Sequence, residues 1–242
     1  MVGNMVRQII DVHCHLLPGI DDGAADIQDS LRELHSAEKQ GITKIIMTPH
    51  LYPDKSISAK QVIDLTAELN TRIKYDGMAL EVFTGMECMY FNELPSLLQS
   101  GEALTLAGSR YVLIEFLEQM SSYHIEKGLD SITEMGYIPI LAHYERYESL
   151  RRPGVIQRLK KHGFALQMNY DTILEKTGIF GGNMYHEHLK KGYVDFLGSD
   201  CHGSSTRAMA VLPGVKWLEK HLREDMINEL VYENPSMILN HE

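Results

Sequence analysis

Asp11-Val12-His13-Cys14-His15 is the stretch that decides how this chain reads. The apolar pair Ile9-Ile10 leads into it, so it forms the end of a buried strand. Side chains two apart on a strand share a face. His13 and His15 therefore project together, with Asp11 expected on the same side. Two neutral imidazoles side by side suit a borderline divalent metal. An isolated His-x-His is more often a hydrogen-bonded pair near the surface, so recurrence downstream has to decide.

Working outward, the chain alternates apolar strands with amphipathic helices. A helix is expected over Asp26 to Gln40, with Gly41 as its stop, then a strand over Ile42 to Met47 closing at Thr48-Pro49-His50. Ser58 and Gln61 form a capping box for a helix reaching about Lys74. Further strands are expected over Leu80 to Thr84, Tyr111 to Ile114, Ile138 to Ala142, Phe164 to Met168 and Val194 to Leu197. Helices separate them, and a looser region carries Gly178, Gly181 and Gly182. The tail from Ser205 reads as helical, with breaks near Pro213 and Pro235. Near-continuous apolar strands alternating with helices imply a parallel sheet covered by helices, in an α/β fold of about seven strands. That count favours a TIM-like barrel over an open sheet, although either puts its chemistry at the C-terminal strand ends.

The length of 242 residues suits a single domain, 1–242, with a sizeable core. The net charge of −10, with no basic stripe, argues against nucleic-acid binding. Three cysteines are too few for a disulfide framework and suit a reducing compartment. No segment is apolar and long enough to span a bilayer, and the N-terminus lacks a signal-peptide run. A cytoplasmic protein without membrane insertion is expected.

The expected strand ends carry His13 and His15, His50, Glu87, Glu115, His143, and Asp200 with His202; Asp21 and Asp22 follow the first strand. Each alone has a plain reading as a cap or a surface acid. Together they are too many ionisable groups to bury at one end of a domain without partners. Cations would hold them, and the number of groups exceeds what one ion needs. Mixed imidazole and carboxylate ligation without thiolate points to manganese, iron, zinc or magnesium. Adjacent divalent ions lower the pKa of water and clamp the oxygens of an in-line displacement, which suits phosphoester hydrolysis. Arg146 and Arg207, each on a loop at the same rim, offer planar forks for phosphate oxygens. A competing motif is Cys201-x5-Arg207, the pattern of a cysteine-dependent phosphatase loop, in which Cys201 would be a thiolate nucleophile. That mechanism leaves His13, His15, Glu87 and His143 without a task.

With Asp11-Val12-His13-Cys14-His15, Thr48-Pro49-His50, Gly85-Met86-Glu87, Ile114-Glu115, Ala142-His143 and Ser199-Asp200-Cys201-His202 assembled, the chain resembles the polymerase-and-histidinol-phosphatase (PHP) superfamily. The resemblance implies a distorted seven-stranded β/α barrel with up to three metal ions. Within it, His13 through Gly23 and His143-Tyr144-Glu145-Arg146-Tyr147 resemble the metal-dependent protein-tyrosine phosphatases of bacterial capsule and exopolysaccharide operons. Glu115, where histidinol phosphatases often carry histidine, favours that branch.

The resemblance implies that His13, His15, Glu87 and Asp200 hold one ion, and that Asp22 (or Asp21), His50 and His202 hold a second. Glu87, Glu115 and His143 would hold a third, with Glu87 bridging and Arg146 and Arg207 gripping the phosphate. Two or three divalent ions, manganese first among them, are therefore expected. The expected partner is a phosphotyrosine-bearing protein, the tail of a membrane tyrosine kinase, and a homo-oligomer is left open. Whichever of Asp21 and Asp22 is not a ligand is the candidate general acid; Asp21 is placed there and Asp22 on the metal. The rival readings are a small-phosphoester phosphatase such as one for histidinol phosphate, the Cys201 thiolate enzyme, and a non-catalytic binding module.

Overall fold

A computed structural model describes residues 8–54, 56–175 and 184–241. In chain order the strands are β1 (Ile9–Cys14), β2 (Ile42–Met47), β3 (His50–Leu51), β4 (Glu81–Thr84), β5 (Glu87–Met89), β6 (Tyr111–Glu115), β7 (Ile138–Leu141), β8 (Ala165–Asn169) and β9 (Phe196–Gly198). Between them lie α1 (Ile27–Lys39), α2 (Ala59–Tyr75), α3 (Leu94–Ser100), α4 (Ser122–Thr133), α5 (Val155–Lys161) and α6 (Met184–Lys190). α7 (Leu212–His221), α8 (Glu224–Asn228) and α9 (Asn234–Leu239) follow β9.

The local signals explain these elements. Asp26 caps α1 by accepting from the Asp29 amide at 2.8 Å, and Gly41 leaves the helix at φ +87°. The capping box of Ser58 and Gln61 opens α2.

Every strand pairing is parallel. The order is β1-β2-β4 in one sheet and β3-β5-β6-β7-β8-β9 in the other. Among the described residues nine segments stand where the sequence suggested about seven strands, because Pro49 and the pair Gly85-Met86 interrupt two of them. Proline cannot donate to a ladder, so β2 stops at Met47 and the chain resumes as β3 beside β5. The sheets curl until β9 meets β1. The His15 amide donates to the Cys201 carbonyl and the Asp200 amide to the His13 carbonyl, each at 2.9 Å.

Two apolar layers result. The larger packs the strands' outer faces against the helices. The smaller joins Val12, Ile46, Leu113, Ile140 and Phe196 from five different strands, so it fills the inside of the curl. Ile238 of α9 belongs to it and closes one end.

Two expectations about the tail need correction. The segment 205–211 is not helical; Gly203 bridges Arg207 and the first tail helix starts at Leu212. Pro213 does not break a helix but lies in the first turn of α7, where a missing amide costs nothing, whereas Pro235 lies just after a π-helical stretch, Glu229–Glu233, that interrupts the α-helical run between α8 and α9. Gly178, Gly181 and Gly182 lie outside the described residues. Among the described residues, no helix is long and apolar enough to cross a membrane.

Candidate metal centre

All nine side chains expected to bind metal come to the mouth of the curl. Ladder register does much of this, because His50 pairs with Glu87 and Met89 with Glu115. His13, His15, Glu87, Asp200 and His143 are buried, whereas the Asp22 side chain is 70% exposed and reaches in from the loop above.

Three sets of ligand atoms each fall within 4.8 Å of one another: His15, Asp22, His50 and His202; His13, His15 and Asp200; and His50, Glu87 and Glu115. This grouping differs from the implied partition, since His15 and His50 each serve two sets. His143 joins through Glu87, its Nε2 lying 2.7 Å from Oε1. The other Glu87 oxygen, Oε2, is 3.2 Å from His13, 3.3 Å from His15 and 3.1 Å from His50. A carboxylate so placed, buried and with no hydrogen bond to Oε2, suits bridging between cations.

The histidine tautomers follow from their neighbours. Gln167 Oε1 accepts the His143 amide at 2.8 Å, which fixes it as the oxygen. It also faces His13 Nδ1 at 3.1 Å, so that nitrogen carries the proton. His15 Nδ1 faces Asp21 Oδ2 at 2.8 Å and is likewise the donor. In neutral rings both Nε2 atoms are then bare lone pairs, yet they face each other at 3.1 Å. Such a contact needs a cation or an added proton, so the residues fit a divalent metal. Without metal the surrounding carboxylates keep added protons on the imidazoles instead. Burial works against charging His15, but Asp21 and Glu87 outweigh it and raise its pKa to about 9. His50 is likewise penalised by burial and raised by Glu115 and Glu87 to about 11. Glu87, despite burial, is held well below the carboxylate range by His13 and His143.

Two backbone positions at the mouth are strained. His143 sits at φ +28° and Asp200 at φ +50°, a region costly for a residue with a Cβ. Gly198 is required by close approach: a Cβ there would fall 2.6 Å from His13 Cβ and 2.9 Å from Gln167 Nε2.

Arg146 and Arg207 both donate to Asp200 Oδ2, and Arg207 also to the Asp200 carbonyl at 3.0 Å. They line one cavity of about 490 Å³ with Glu145, Asn169 and Tyr185. The loop carrying Arg207 is pinned to α1: Asp29 accepts the Ser204 hydroxyl and Glu33 accepts the Met209 amide, each at 2.6 Å.

Several residues differ from their sequence reading. Asp11 does not share the mouth with His13; its Oδ1 accepts the Ser199 amide at 2.9 Å and the His13 amide at 3.2 Å, tying β1 to β9. A register shift between Asp11 and Cys14 breaks the simple alternation. Asp21 stays out of the three sets, and besides His15 it accepts from the Gly23 and His50 amides. Burial raises its pKa, but His15 overrides this and the net direction is down, unlike a proton donor. Cys201 is fully buried, with its thiol 3.7 Å from Glu33 Oε2 on the α1 side, which leaves the thiolate route without an accessible nucleophile.

Sequence reading missed Gln167, Asn169 and Tyr52. Gln167 Nε2 donates to Asn169 Oδ1 at 2.9 Å, and Asn169 Nδ2 to Asp200 Oδ2 at 2.8 Å. The available signal was Gln167 itself, a polar residue between the apolar Leu166 and Met168 of a buried strand. Tyr52 stacks on His50 with centroids 4.9 Å apart, and nothing local in the sequence marks it.

A family model described as "Capsular polysaccharide synthesis, CpsB/CapC" matches residues 9–240. The chain is 31% identical to the tyrosine-protein phosphatase YwqE of Bacillus subtilis, over 97% of this chain and 92% of that protein. It is 27% identical to the tyrosine-protein phosphatase CpsB of Streptococcus agalactiae serotype III, over 96% and 99%. A crystal structure from work on YwqE of Bacillus subtilis and CpsB of Streptococcus pneumoniae, described as unique metal-dependent tyrosine phosphatases, superposes with TM-score 0.86 at 29% identity. That match covers 97% of this chain and 95% of the other. The phosphotriesterase homology protein of Escherichia coli superposes with TM-score 0.59 at 12% identity, over 95% and 97%, a likeness of fold alone.

Proposed function

Because the chain belongs to the CpsB/CapC family of capsular polysaccharide synthesis, we propose that it is a metal-dependent phosphatase of protein phosphotyrosine. The observation that carries this reading is the pair of facing Nε2 atoms of His13 and His15, 3.1 Å apart beside Glu87 and next to two arginines. His13, His15, Asp22, His50, Glu87, Glu115, His143, Asp200 and His202 would hold two or three divalent ions, manganese first, with iron, zinc or magnesium as alternatives. Bound divalent ions supply Lewis acidity and lower the pKa of water at the site.

The chain's own groups do the rest. Arg146 and Arg207, steadied on Asp200, bind the phosphoryl oxygens and offset the charge that spreads over them as the ester bond breaks. Gln167 and Asp21 keep the protons of His13 and His15 on Nδ1, so each Nε2 stays turned into the site. The tyrosine hydroxyl ionises at about pH 10 in water, so its phenolate departs without a strong acid. Asp21 therefore acts by orienting His15 rather than by donating a proton. The physiological substrate is the phosphorylated tail of a cognate membrane tyrosine kinase, reached from the cytoplasm.

Metal content of the purified protein, measured alongside turnover of a phosphotyrosyl peptide and of histidinol phosphate with added manganese, tests this. The expected result is bound metal and faster turnover of the peptide. Equal or better turnover of histidinol phosphate would move the assignment to small phosphoesters. Activity that survives EDTA but not Cys201→Ser would end the metal reading.

A further inference from the structure

Beside the arginine cavity lies a larger trench of about 1010 Å³, formed by the loop after β6 and the loop after β7. The two share Glu118, Arg146 and Arg151, so the trench leads directly out of the site. The two loops are braced against each other. Ser149 Oγ donates to the Met120 carbonyl at 2.8 Å, and the Phe116 amide donates to the Tyr147 hydroxyl at 3.0 Å. A groove held this way is preformed and costs little to order on binding.

Its walls have a distinct chemistry. Arg146, Arg151 and Arg152 line it with Glu118 and Glu148, a local excess of positive charge on a chain whose net charge is −10. Arg152 is exposed and pairs with no carboxylate among the described residues. Arg151 donates to the Glu145 carbonyl at 3.2 Å. Tyr123, 63% exposed, presents a ring at the side formed by α4. A local cluster of guanidinium groups on an acidic protein favours an acidic ligand and repels a basic one. A half-exposed aromatic beside them offers area for an apolar side chain.

We propose that this trench binds the polypeptide on one side of the substrate phosphotyrosine, with an acidic side chain on Arg152 and an apolar one against Tyr123. The inference rests on the protein-phosphatase reading above. It adds that the enzyme selects among phosphotyrosines by acidic sequence on one flank.

The test uses the full chain with manganese and two substrates: a phosphotyrosyl peptide flanked by glutamates, and p-nitrophenyl phosphate, which is too small to reach the trench. Arg152→Glu raises KM for the peptide about fivefold, as reversal of an exposed charge pair does, with kcat and the small-ester kinetics unchanged. Tyr123→Ala raises the same KM and leaves the small ester alone. A peptide with lysines in place of the glutamates is poor for the parent protein and recovers with Arg152→Glu. Unchanged peptide KM in both variants, or an equal fall on both substrates, overturns the trench assignment while leaving the phosphatase intact. Absence of turnover of both substrates by the parent protein overturns the phosphatase reading and this inference with it.

Discussion

The inside of the curled sheet has two regions built on the same strands. In the lower region Val12, Ile46, Leu113, Ile140 and Phe196 pack among apolar side chains, Leu106, Tyr111 and Ile238 with them. One to three residues further along the chain stand His13, Glu115 and His143, also buried but ionisable. The apolar region is complete by itself, since burial removes its surface from water at no polar cost. The polar region is not complete. Its carboxylates and ring nitrogens satisfy one another only by taking up protons or cations. Folding is served by one half and chemistry by the other, and only the second depends on what the solvent contains.

The sharpest way to break that contrast is to take the cations away. Chelation, or Glu87→Gln at the shared carboxylate, should lower phosphotyrosine turnover by more than about a hundredfold, since even outer partners of metal ligands are worth about 10–100-fold. Metal analysis with kinetics reads this, and full activity in metal-free protein would mean that the mouth is self-sufficient after all. In the apolar half, Leu113→Ala should cost about 2–5 kcal/mol in denaturant unfolding and leave metal content per folded molecule unchanged. Gln167→Leu comes next. Losing the acceptor for His13 Nδ1 should weaken metal binding about 10–100-fold in calorimetry, while Gln167→Glu retains an acceptor and loses less.

Smaller still is a dependence on pH confined to the polar half. His15 and His50 bind protons more tightly in the folded protein, at about 9 and about 11 against 6.5. Their contribution to metal-free stability is whole below pH 6.5 and fades as pH rises through about 9 for His15, then about 11 for His50. Melting temperature of the metal-free protein should therefore fall from pH 6.5 to about 9, and saturating manganese should flatten that slope. A metal-free protein that grows more stable over that range would contradict it. The smallest expected effect is Cys201→Ser, which should leave turnover within about twofold because the buried thiol faces Glu33.

Much of this was open to reading from residues alone. The strand-helix alternation and the polar groups at strand ends follow from periodicity, so the mouth could be assembled without coordinates. Less visible was how each ligand is held. Gln167 and Asp21 reach their histidines across 154 and 6 residues, and nothing in local spacing announces either contact. Asp11 was misplaced because a register shift turns it toward the seam, and bulges leave only a faint trace in sequence. The tail was misread because helix-forming residues after Arg207 are overridden by bonds to Asp29 and Glu33 on α1.

The inner plug carries a consequence for synthesis. Val12 and Ile238 share one cluster, and the seam between β1 and β9 joins His13 to Asp200. A nascent chain paused after β7 would hold its first histidines in place with nothing opposite them. The enzyme can close, and so bind metal in its finished form, only once the ribosome has released the chain as far as α9.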